Sequence, residues 1–250
     1  MKRLLVIQNI EREGPGLFSI LAERIGFYSK IYCLSRGDKL PEARKDDLIL
    51  IMGGPMGVSD INNKKYPWLK AEIKFIKKAI DNQISIIGVC LGAQLLAYAE
   101  GGNIEKMKDE FNQKYKAEIG WSEISSINLK NYDEISVFLK KPLNVLHWHG
   151  DRIILPSNAV LLASSKHCKE QLFKIGNNIY GLQFHAETEG LMTDEWIEND
   201  KKFIISGLGK NGQKILKNQC CKFESRTLNK RILFINKILE KIIEHKKTSL

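Results

Sequence analysis

Short apolar runs alternate with amphipathic stretches over much of the chain, and these runs are predicted to be buried strands. Several of them lack a strict alternation of apolar and polar residues, which is typical of strands covered on both faces of a sheet. The six runs, rich in Ile, Val and Leu, are Leu4–Ile7, Lys30–Leu34, Leu48–Met52, Ile84–Val89, Val160–Ala163 and Ile179–Phe184.

Helices are predicted between the strands in the first half of the chain, at Gly16–Ile25 and Tyr66–Ile80. In the second of these segments the apolar residues recur at helical spacing. Strands that alternate with helices indicate an α/β fold with a mainly parallel central sheet and helices on both faces. Two segments of alternating, strand-like character, Glu118–Leu129 and Leu143–His147, predict an antiparallel extension of that sheet.

The C-terminal segment, residues 207–250, is predicted to form basic helices that pack on the rest of the chain. No repeat or flexible linker interrupts the sequence, so residues 1–250 are interpreted as a single domain. The apolar residues of the C-terminal segment lie on one helical stripe, which needs a core to cover it. That stripe consists of Leu228, Ile232, Ile235, Leu239 and Ile242.

The net charge of +10 is concentrated near the C-terminus. Residues 201–250 contain 13 Lys and Arg residues against three Asp and Glu residues, whereas the first 200 residues are electrically balanced. An acidic partner is one interpretation, but the apolar stripe favours the solvated face of a docked helix. Nucleic-acid binding is not expected, because only Phe223 and Phe234 interleave with the basic residues.

Composition is that of an ordinary globular protein, with 43% hydrophobic and 27% charged residues. Five cysteines without C-x-x-C spacing indicate neither a disulfide framework nor a zinc site. The N-terminal apolar run is too short for a signal peptide, and no segment is apolar enough for a membrane span. We therefore expect a cytoplasmic protein. His147 and His149 have no third ligand near them in sequence, so neither a metal nor another cofactor is expected.

The strongest chemical motif is a cysteine at a turn between a predicted strand and a predicted helix. Cys90 lies in Gly88-Val89-Cys90-Leu91-Gly92, the nucleophile-elbow pattern with sulfur in place of a serine oxygen. The turn is so tight that side chains at the two glycine positions would clash. A helix N-terminus favours a thiolate, and the Leu91 amide is directed toward a developing oxyanion. The alternative is a buried structural cysteine in a glycine-containing turn.

Two further motifs also follow predicted strands. His185 and Glu187 end the last apolar run, where the histidine can act as a base and the glutamate can orient it. Gly53 and Gly54 follow the third run and allow the backbone to approach a ligand, with the Gly54 amide available to the same oxyanion. Because the carboxyl ends of parallel strands share one edge of a sheet, the three motifs are expected to meet there.

Together these motifs resemble the class I, or triad, glutamine amidotransferase family, and in particular stand-alone members similar to the glutaminase domain of GMP synthase. The likeness covers about residues 1–200 and rests on Gly53-Gly54-Pro55, Gly88–Gly92 with Gln94, and Gln183–His185 with Glu187. The resemblance implies hydrolysis of the glutamine side-chain amide through a γ-glutamyl thioester. The implied residues are a Cys90–His185–Glu187 triad, an oxyanion hole from Gly54 and Leu91, and substrate contacts from Gly53, Gln94 and His149.

One position departs from the family pattern. Ala186 stands where many members have proline, from which we expect slightly less rigidity between His185 and Glu187. The chain shows no sequence resembling the ATP-pyrophosphatase domain of a complete GMP synthase, so the resemblance implies that the ammonia acceptor is a separate synthetase subunit. Two alternatives stay open: a free-standing hydrolase of γ-glutamyl compounds, and a non-enzymatic regulatory or binding protein, which the complete triad disfavours.

Overall fold

The computed structural model describes residues 2–109, 114–127 and 134–248, and a nine-stranded sheet forms its centre. The strands described are β1 (Lys2–Gln8), β2 (Phe27–Cys33), β3 (Leu48–Ile51), β4 (Ser85–Val89), β5 (Asn103–Lys106), β6 (Glu118–Ser126), β7 (Leu143–His149), β8 (Asp151–Ile154), β9 (Ala159–Ser165), β10 (Leu172–Ile175) and β11 (Ile179–Leu182). The order across the sheet is β2-β1-β3-β4-β11-β10-β9-β6-β7, and β5 pairs separately with β8.

One part of this sheet is parallel and the other antiparallel. Strands β2, β1, β3, β4 and β11 run parallel to one another. Strands β10, β9, β6 and β7 continue the sheet through antiparallel pairs. The predicted α/β fold class is confirmed, and the predicted antiparallel extension is formed by β6 and β7 together with two strands beside them.

Helices cover both faces of the sheet, because alternate residues of the inner strands point to opposite sides. Leu4 and Val6 of β1 pack on one side, whereas Leu5 and Ile7 pack on the other. The first side is covered by α1, α4 and α7 and the second by α2 and α3. The helices described are α1 (Leu17–Arg24), α2 (Leu69–Asp81), α3 (Leu91–Ala99), α4 (Glu134–Phe138), α5 (Gly190–Asn199), α6 (Lys201–Leu208) and α7 (Gly212–Thr248).

Element boundaries differ from the predicted ones where local sequence is ambiguous. β2 begins at Phe27, three residues before its predicted start, because it is an edge strand whose exposed Tyr28 interrupts the apolar pattern. α2 begins at Leu69, since a turn containing Pro67 precedes it. β6 ends at Ser126, and Leu129 of the predicted strand lies outside the described residues.

The C-terminal segment consists mainly of one 37-residue helix, α7, with α6 immediately before it. Lysines on its outer side pair with carboxylates, for example Lys237 with Glu134 at 2.9 Å. None of the described helices combines the length and apolar character needed to cross a membrane. The inner side of α7 lies in the core through Phe234, Ile235, Ile238, Leu239 and Ile242, with Leu228 and Ile232 partly buried at its margin.

Candidate active site

The three sequence motifs lie at the carboxyl ends of β3, β4 and β11, which are neighbours in the sheet. In the parallel pair of β11 and β4, Leu182 stands opposite Val89. The pairing continues past the strand end, where the Cys90 amide donates to the Leu182 carbonyl oxygen at 2.7 Å. The structure therefore brings the cysteine turn, the Gly-Gly turn and the His-x-Glu segment to one edge.

Cys90 occupies a backbone conformation that few side chains adopt. Its φ is 52°, and it is the residue immediately before α3. The glycines around it are needed for space, because a β-carbon on Gly88 would lie 2.6 Å from the carbonyl oxygen of Gly92. A β-carbon on Gly92 would in turn collide with the carbonyl oxygen of Ile51. This strained turn presents a thiol at the sheet edge, as a nucleophile elbow does.

His185 and Glu187 form a buried hydrogen-bonded pair. His185 Nδ1 lies 2.7 Å from Glu187 Oε1, and both residues are at most 1% exposed. Two backbone hydrogen bonds between His185 and Leu146 fix the histidine to β7. The Trp196 ring packs edge-on against the imidazole, with the ring centres 4.7 Å apart. Both the orientation and the tautomer of His185 are therefore constrained.

The imidazole of His185 and the thiol of Cys90 meet beside Gly53. From the point where a Gly53 β-carbon would stand, His185 Cε1 is 3.4 Å away and Cys90 Cβ is 3.5 Å away. Burial alone would lower the pKa of His185, but the Glu187 carboxylate and the hydrogen bond with Cys90 outweigh it. The pKa of His185 is raised well above its usual 6.5. This arrangement favours an imidazolium next to the sulfur.

Two of the three residues predicted to contact substrate, Gln94 and His149, line one cleft with Cys90. Gly54 and Leu91 also line this cleft, whereas Gly53, His185 and Glu187 are not among its lining residues. Gln94 Nε2 donates to Gln183 Oε1 at 3.2 Å, and Gln183 Nε2 lies 3.8 Å from Cys90 Sγ. Gln183 stands in the sequence only as part of a motif, whereas in the fold its side-chain amide lies between the Cys90 thiol and Gln94.

The cleft is suited to a small polar molecule. Its volume is about 250 Å³, below the range of roughly 300–1,000 Å³ typical of pockets for larger ligands. The carbonyl oxygen of Trp148 lies 3.8 Å from Cys90 Sγ, so main-chain acceptors also reach the sulfur. The outer wall carries charged side chains, namely Lys106, Asp151 and Asp200.

Glu13 is a buried carboxylic acid at the site that sequence analysis missed. It lines the cleft, and its Oε2 occupies the space that a Gly53 β-carbon would need. Burial raises the pKa of Glu13 to about 7, although the positive charge of His185 opposes the shift. The sequence offers only two glutamates, Glu11 and Glu13, shortly after a strand, and neither stands in a recognisable motif.

A second buried carboxylic acid, Glu72 of α2, is linked through Asn9 to Met52, the residue before the Gly-Gly turn. Glu72 Oε1 accepts a hydrogen bond from Asn9 Nδ2 at 3.2 Å, and the same nitrogen lies 3.3 Å from the Met52 carbonyl oxygen. Trp68 Nε1 donates to Asn9 Oδ1 at 2.9 Å. Burial raises the pKa of Glu72 to about 8, and the hydrogen bond from Asn9 only partly offsets this.

Substituting Glu72→Gln should flatten the dependence of stability on pH. The folded protein binds a proton at Glu72 up to about pH 8, whereas the unfolded chain loses it near pH 4.5. The free energy of unfolding of the wild type therefore falls as pH rises through this window, by roughly 1.4 kcal/mol per pH unit for this group. Urea unfolding at pH 5 and pH 8 measures the difference. The exposed Glu23→Gln is the control, and parallel pH curves for wild type and Glu72→Gln would contradict the expectation.

No third ligand lies near His147 and His149 in sequence, but the fold brings Glu118 to both of them. Antiparallel pairing of β6 with β7 places Glu118 opposite His149. Glu118 Oε2 lies 3.5 Å from His147 Nδ1 and 3.2 Å from His149 Nε2, a set that can in principle hold a metal ion. The same oxygen accepts a hydrogen bond from Gln171 Nε2 at 2.7 Å. The set therefore also works as a hydrogen-bonded support for His149 in the cleft wall.

A known protein family matches the part of the chain that carries this site. The family model for class-I glutamine amidotransferases matches residues 21–203, which include the cysteine turn and the His-x-Glu segment. The chain belongs to the class-I glutamine amidotransferase family. Enzymes of this family generally hydrolyse glutamine.

Relatives of this chain include a glutamine amidotransferase-like protein as well as GMP synthases. A glutamine amidotransferase-like protein, YfeJ of Salmonella typhimurium, is 28% identical over 79% of this chain and 81% of its own length. One glutamine-hydrolysing GMP synthase subunit, from Saccharolobus solfataricus, is 30% identical over 65% of this chain and 78% of its own length. A glutamine-hydrolysing GMP synthase of Borrelia garinii is 29% identical over 79% of this chain, but over only 34% of its own length.

A solved structure extends the likeness to nearly the whole chain. The crystal structure of a glutamine amidotransferase from Thermotoga maritima superposes with a TM-score of 0.79 at 26% identity. The superposition covers 97% of this chain and 98% of the other. The shared fold thus extends beyond residue 203, where the family-model match ends.

Proposed function

We propose that this amidotransferase hydrolyses the side-chain amide of glutamine, with Cys90 as nucleophile, and delivers the ammonia to a separate synthetase. One observation carries the proposal: a thiol on a strained strand-to-helix turn lies beside an imidazole that is bonded to a buried carboxylate. This combination is what nucleophilic catalysis by cysteine needs. Cys90, His185 and Glu187 are accordingly assigned as the catalytic triad.

The first half of the reaction forms a thioester. The Cys90 sulfur attacks the amide carbon of the substrate, and the carbonyl oxygen becomes an oxyanion that the Gly54 and Leu91 amides stabilise. His185 gives its proton to the amide nitrogen, the carbon–nitrogen bond breaks, and ammonia leaves. Glu187 holds the imidazole in place and stabilises its positive charge. The product at this stage is a γ-glutamyl thioester on Cys90.

The second half restores the enzyme. His185, now neutral, takes a proton from a water molecule that attacks the thioester carbon. The carbon–sulfur bond breaks, glutamate leaves, and the thiolate and imidazolium are regenerated. We assign Gly53, Gln94 and His149 to holding the amino-acid end of the substrate, since Gln94 and His149 line the cleft and Gly53 adjoins both Cys90 and His185. No step requires a metal or another cofactor.

The proposed acceptor is a synthetase on another chain. Support comes from the Saccharolobus relative, which is named as one subunit of GMP synthase, and from the match to one third of a complete GMP synthase. We further propose a cytoplasmic location, and a single domain over residues 1–250 in which residues 207–250 pack on the remainder.

A second candidate function is the hydrolysis of γ-glutamyl compounds by the isolated protein. The observation in its favour is the charged outer wall of the cleft, where Lys106, Asp151 and Asp200 could contact a larger leaving group. The chemistry at Cys90 would be the same, with an amine or amino acid leaving in place of ammonia. The two candidates therefore differ in leaving group and not in the triad.

An assay with two substrate types separates the candidates. Purified protein is expected to release ammonia from glutamine with a kcat/KM at least about tenfold higher than for γ-glutamyl dipeptides, because the cleft is small. Ammonia and free amino acids are measured in parallel, and Cys90→Ala protein reports the uncatalysed background. Faster cleavage of the dipeptides would refute the first candidate and favour the second.

A further inference from the structure

A buried arginine from α7 contacts the segment that carries Glu187. Arg231 is fully buried, and its Nη1 donates to the carbonyl oxygens of Ala186 at 2.9 Å and Thr188 at 2.7 Å. These two residues flank Glu187 in sequence. Arg231 lies outside residues 21–203, so it is not part of the segment that defines the family.

The Glu187 peptide is held from a second direction by α1. The amide of Leu17 donates to the Glu187 carbonyl oxygen at 3.0 Å. Gly16 approaches this oxygen so closely that a β-carbon there would collide with it. Three successive carbonyl oxygens, from Ala186 to Thr188, are therefore fixed by donors on two helices, which leaves the backbone of the triad acid little freedom to move.

The guanidinium group of Arg231 is itself rigidly held. Its Nε donates to Thr227 Oγ1 at 3.1 Å and its Nη2 to the Glu224 carbonyl oxygen at 3.2 Å. The charged group stacks over the Trp121 ring, 5.2 Å from its centre. A buried charge is costly unless it is hydrogen-bonded and balanced. Here the carboxylates of Glu187, Glu189 and Glu224 are the negative charges that act on it.

We propose that Arg231 is a positioning residue that keeps Glu187 aligned with His185. The proposal rests on the proposed function, in which that alignment sustains the imidazolium. Both hydrogen bonds from Arg231 Nη1 are to main-chain carbonyl oxygens, so they restrain the backbone on either side of Glu187.

Kinetics of the Arg231→Gln variant test this role. A displacement of a catalytic group by about 1 Å can cost on the order of 100-fold in rate. We expect kcat for glutamine to fall on the order of 100-fold, with KM changed less than about threefold because Arg231 lies outside the cleft. The exposed Arg226→Gln, on the same helix, is the matched control and should keep wild-type kinetics. Arg231→Lys, which retains the charge and a donor, should recover part of the lost kcat.

A pH readout separates positioning from a general loss of stability. His185 is faced by Cys90, Glu187, Glu13 and His147. Weaker contact with Glu187 lowers the pKa of His185, so the alkaline limb of kcat should move to lower pH in Arg231→Gln. Alkylation of Cys90 by iodoacetamide, followed by mass spectrometry of the Cys90 peptide, gives a second pH profile that needs no substrate. Its rate below neutral pH should fall in Arg231→Gln, because the imidazolium that stabilises the reactive sulfur is itself less stable there. This second readout stays informative if glutamine is not the substrate, so failure of the two proposals can be distinguished.

Measurements on the two Arg231 variants decide whether the arginine positions Glu187 or only stabilises the fold. A lower kcat, a shifted alkaline limb and partial recovery in Arg231→Lys support the positioning role. Wild-type kcat and an unshifted alkylation profile in folded Arg231→Gln overturn it, even if the melting temperature falls. Should Arg231→Gln fail to fold, Arg231→Lys decides: a reduced kcat with a shifted limb supports the role, and wild-type behaviour overturns it.

Discussion

Replacing Cys90 with alanine is expected to abolish the release of ammonia from glutamine. The thioester cannot form without the sulfur, and water attacking directly would lack a covalent intermediate. Loss of a triad nucleophile typically costs a factor on the order of 10⁴–10⁶ in kcat. Alanine fits the space of the thiol, so circular dichroism and the melting temperature should stay near those of the wild type. A coupled assay for ammonia measures the loss.

Two companion variants make this test specific. Removing the imidazole with His185→Ala should cost nearly as much as Cys90→Ala, because triad members act as a unit, and the double variant should lose little more. Cys221, an exposed cysteine of α7, supplies the control: Cys221→Ala should retain full activity. Turnover of glutamine by the Cys90→Ala protein would show that the mechanism is wrong.

Deleting residues 225–250 should destabilise the whole protein. The deletion removes five apolar side chains of α7 that are at most 1% exposed and lie in the core with α1 and the sheet. Each contributes roughly 1.5–3 kcal/mol when fully buried. Their sum is comparable to the total stability of a typical domain, about 5–15 kcal/mol. We expect the truncated chain to unfold far below the wild-type melting temperature or to be recovered only as aggregate.

A surface variant separates lost packing from lost charge in that experiment. Substituting Lys230→Gln and Lys222→Gln removes basic charge from the exposed side of α7 without touching the core. This protein should melt within a few degrees of the wild type, since surface substitutions usually cost little. A truncated protein that keeps its melting temperature would contradict the single-domain interpretation and make the segment a free arm.

Much of the fold could be predicted because its signals are local. A few adjacent residues are enough to predict a buried strand at Leu48–Met52 and a tight turn at Gly88–Gly92. The predicted start of strand β2 differs from the observed one because an edge strand exposes side chains such as Ile31, which weakens the apolar pattern. The ribbon of β5 and β8 escaped prediction, since four-residue strands with polar residues carry little periodic signal.

Only those site residues that stand in sequence motifs could be predicted from the sequence. Cys90, His185 and Glu187 stand in recognisable patterns, and parallel strand ends bring such patterns together. Glu13 and Arg231 stand in none, and their positions depend on how the turn after β1 and helix α7 pack against the rest of the chain. The contacts that these two residues make with the site arise from tertiary packing between distant segments. A single sequence therefore contains no local pattern that predicts them.

The contacts that complete the site all join distant parts of the chain: Leu182 to Cys90, Leu17 to Glu187, and Arg231 to Ala186. Contacts of this kind form late in folding, because long loops must first be closed at an entropic cost. The neighbouring strands β1 and β2, by contrast, can pair early. The thiol, its base and the carboxylate are therefore aligned only after these distant segments have packed together.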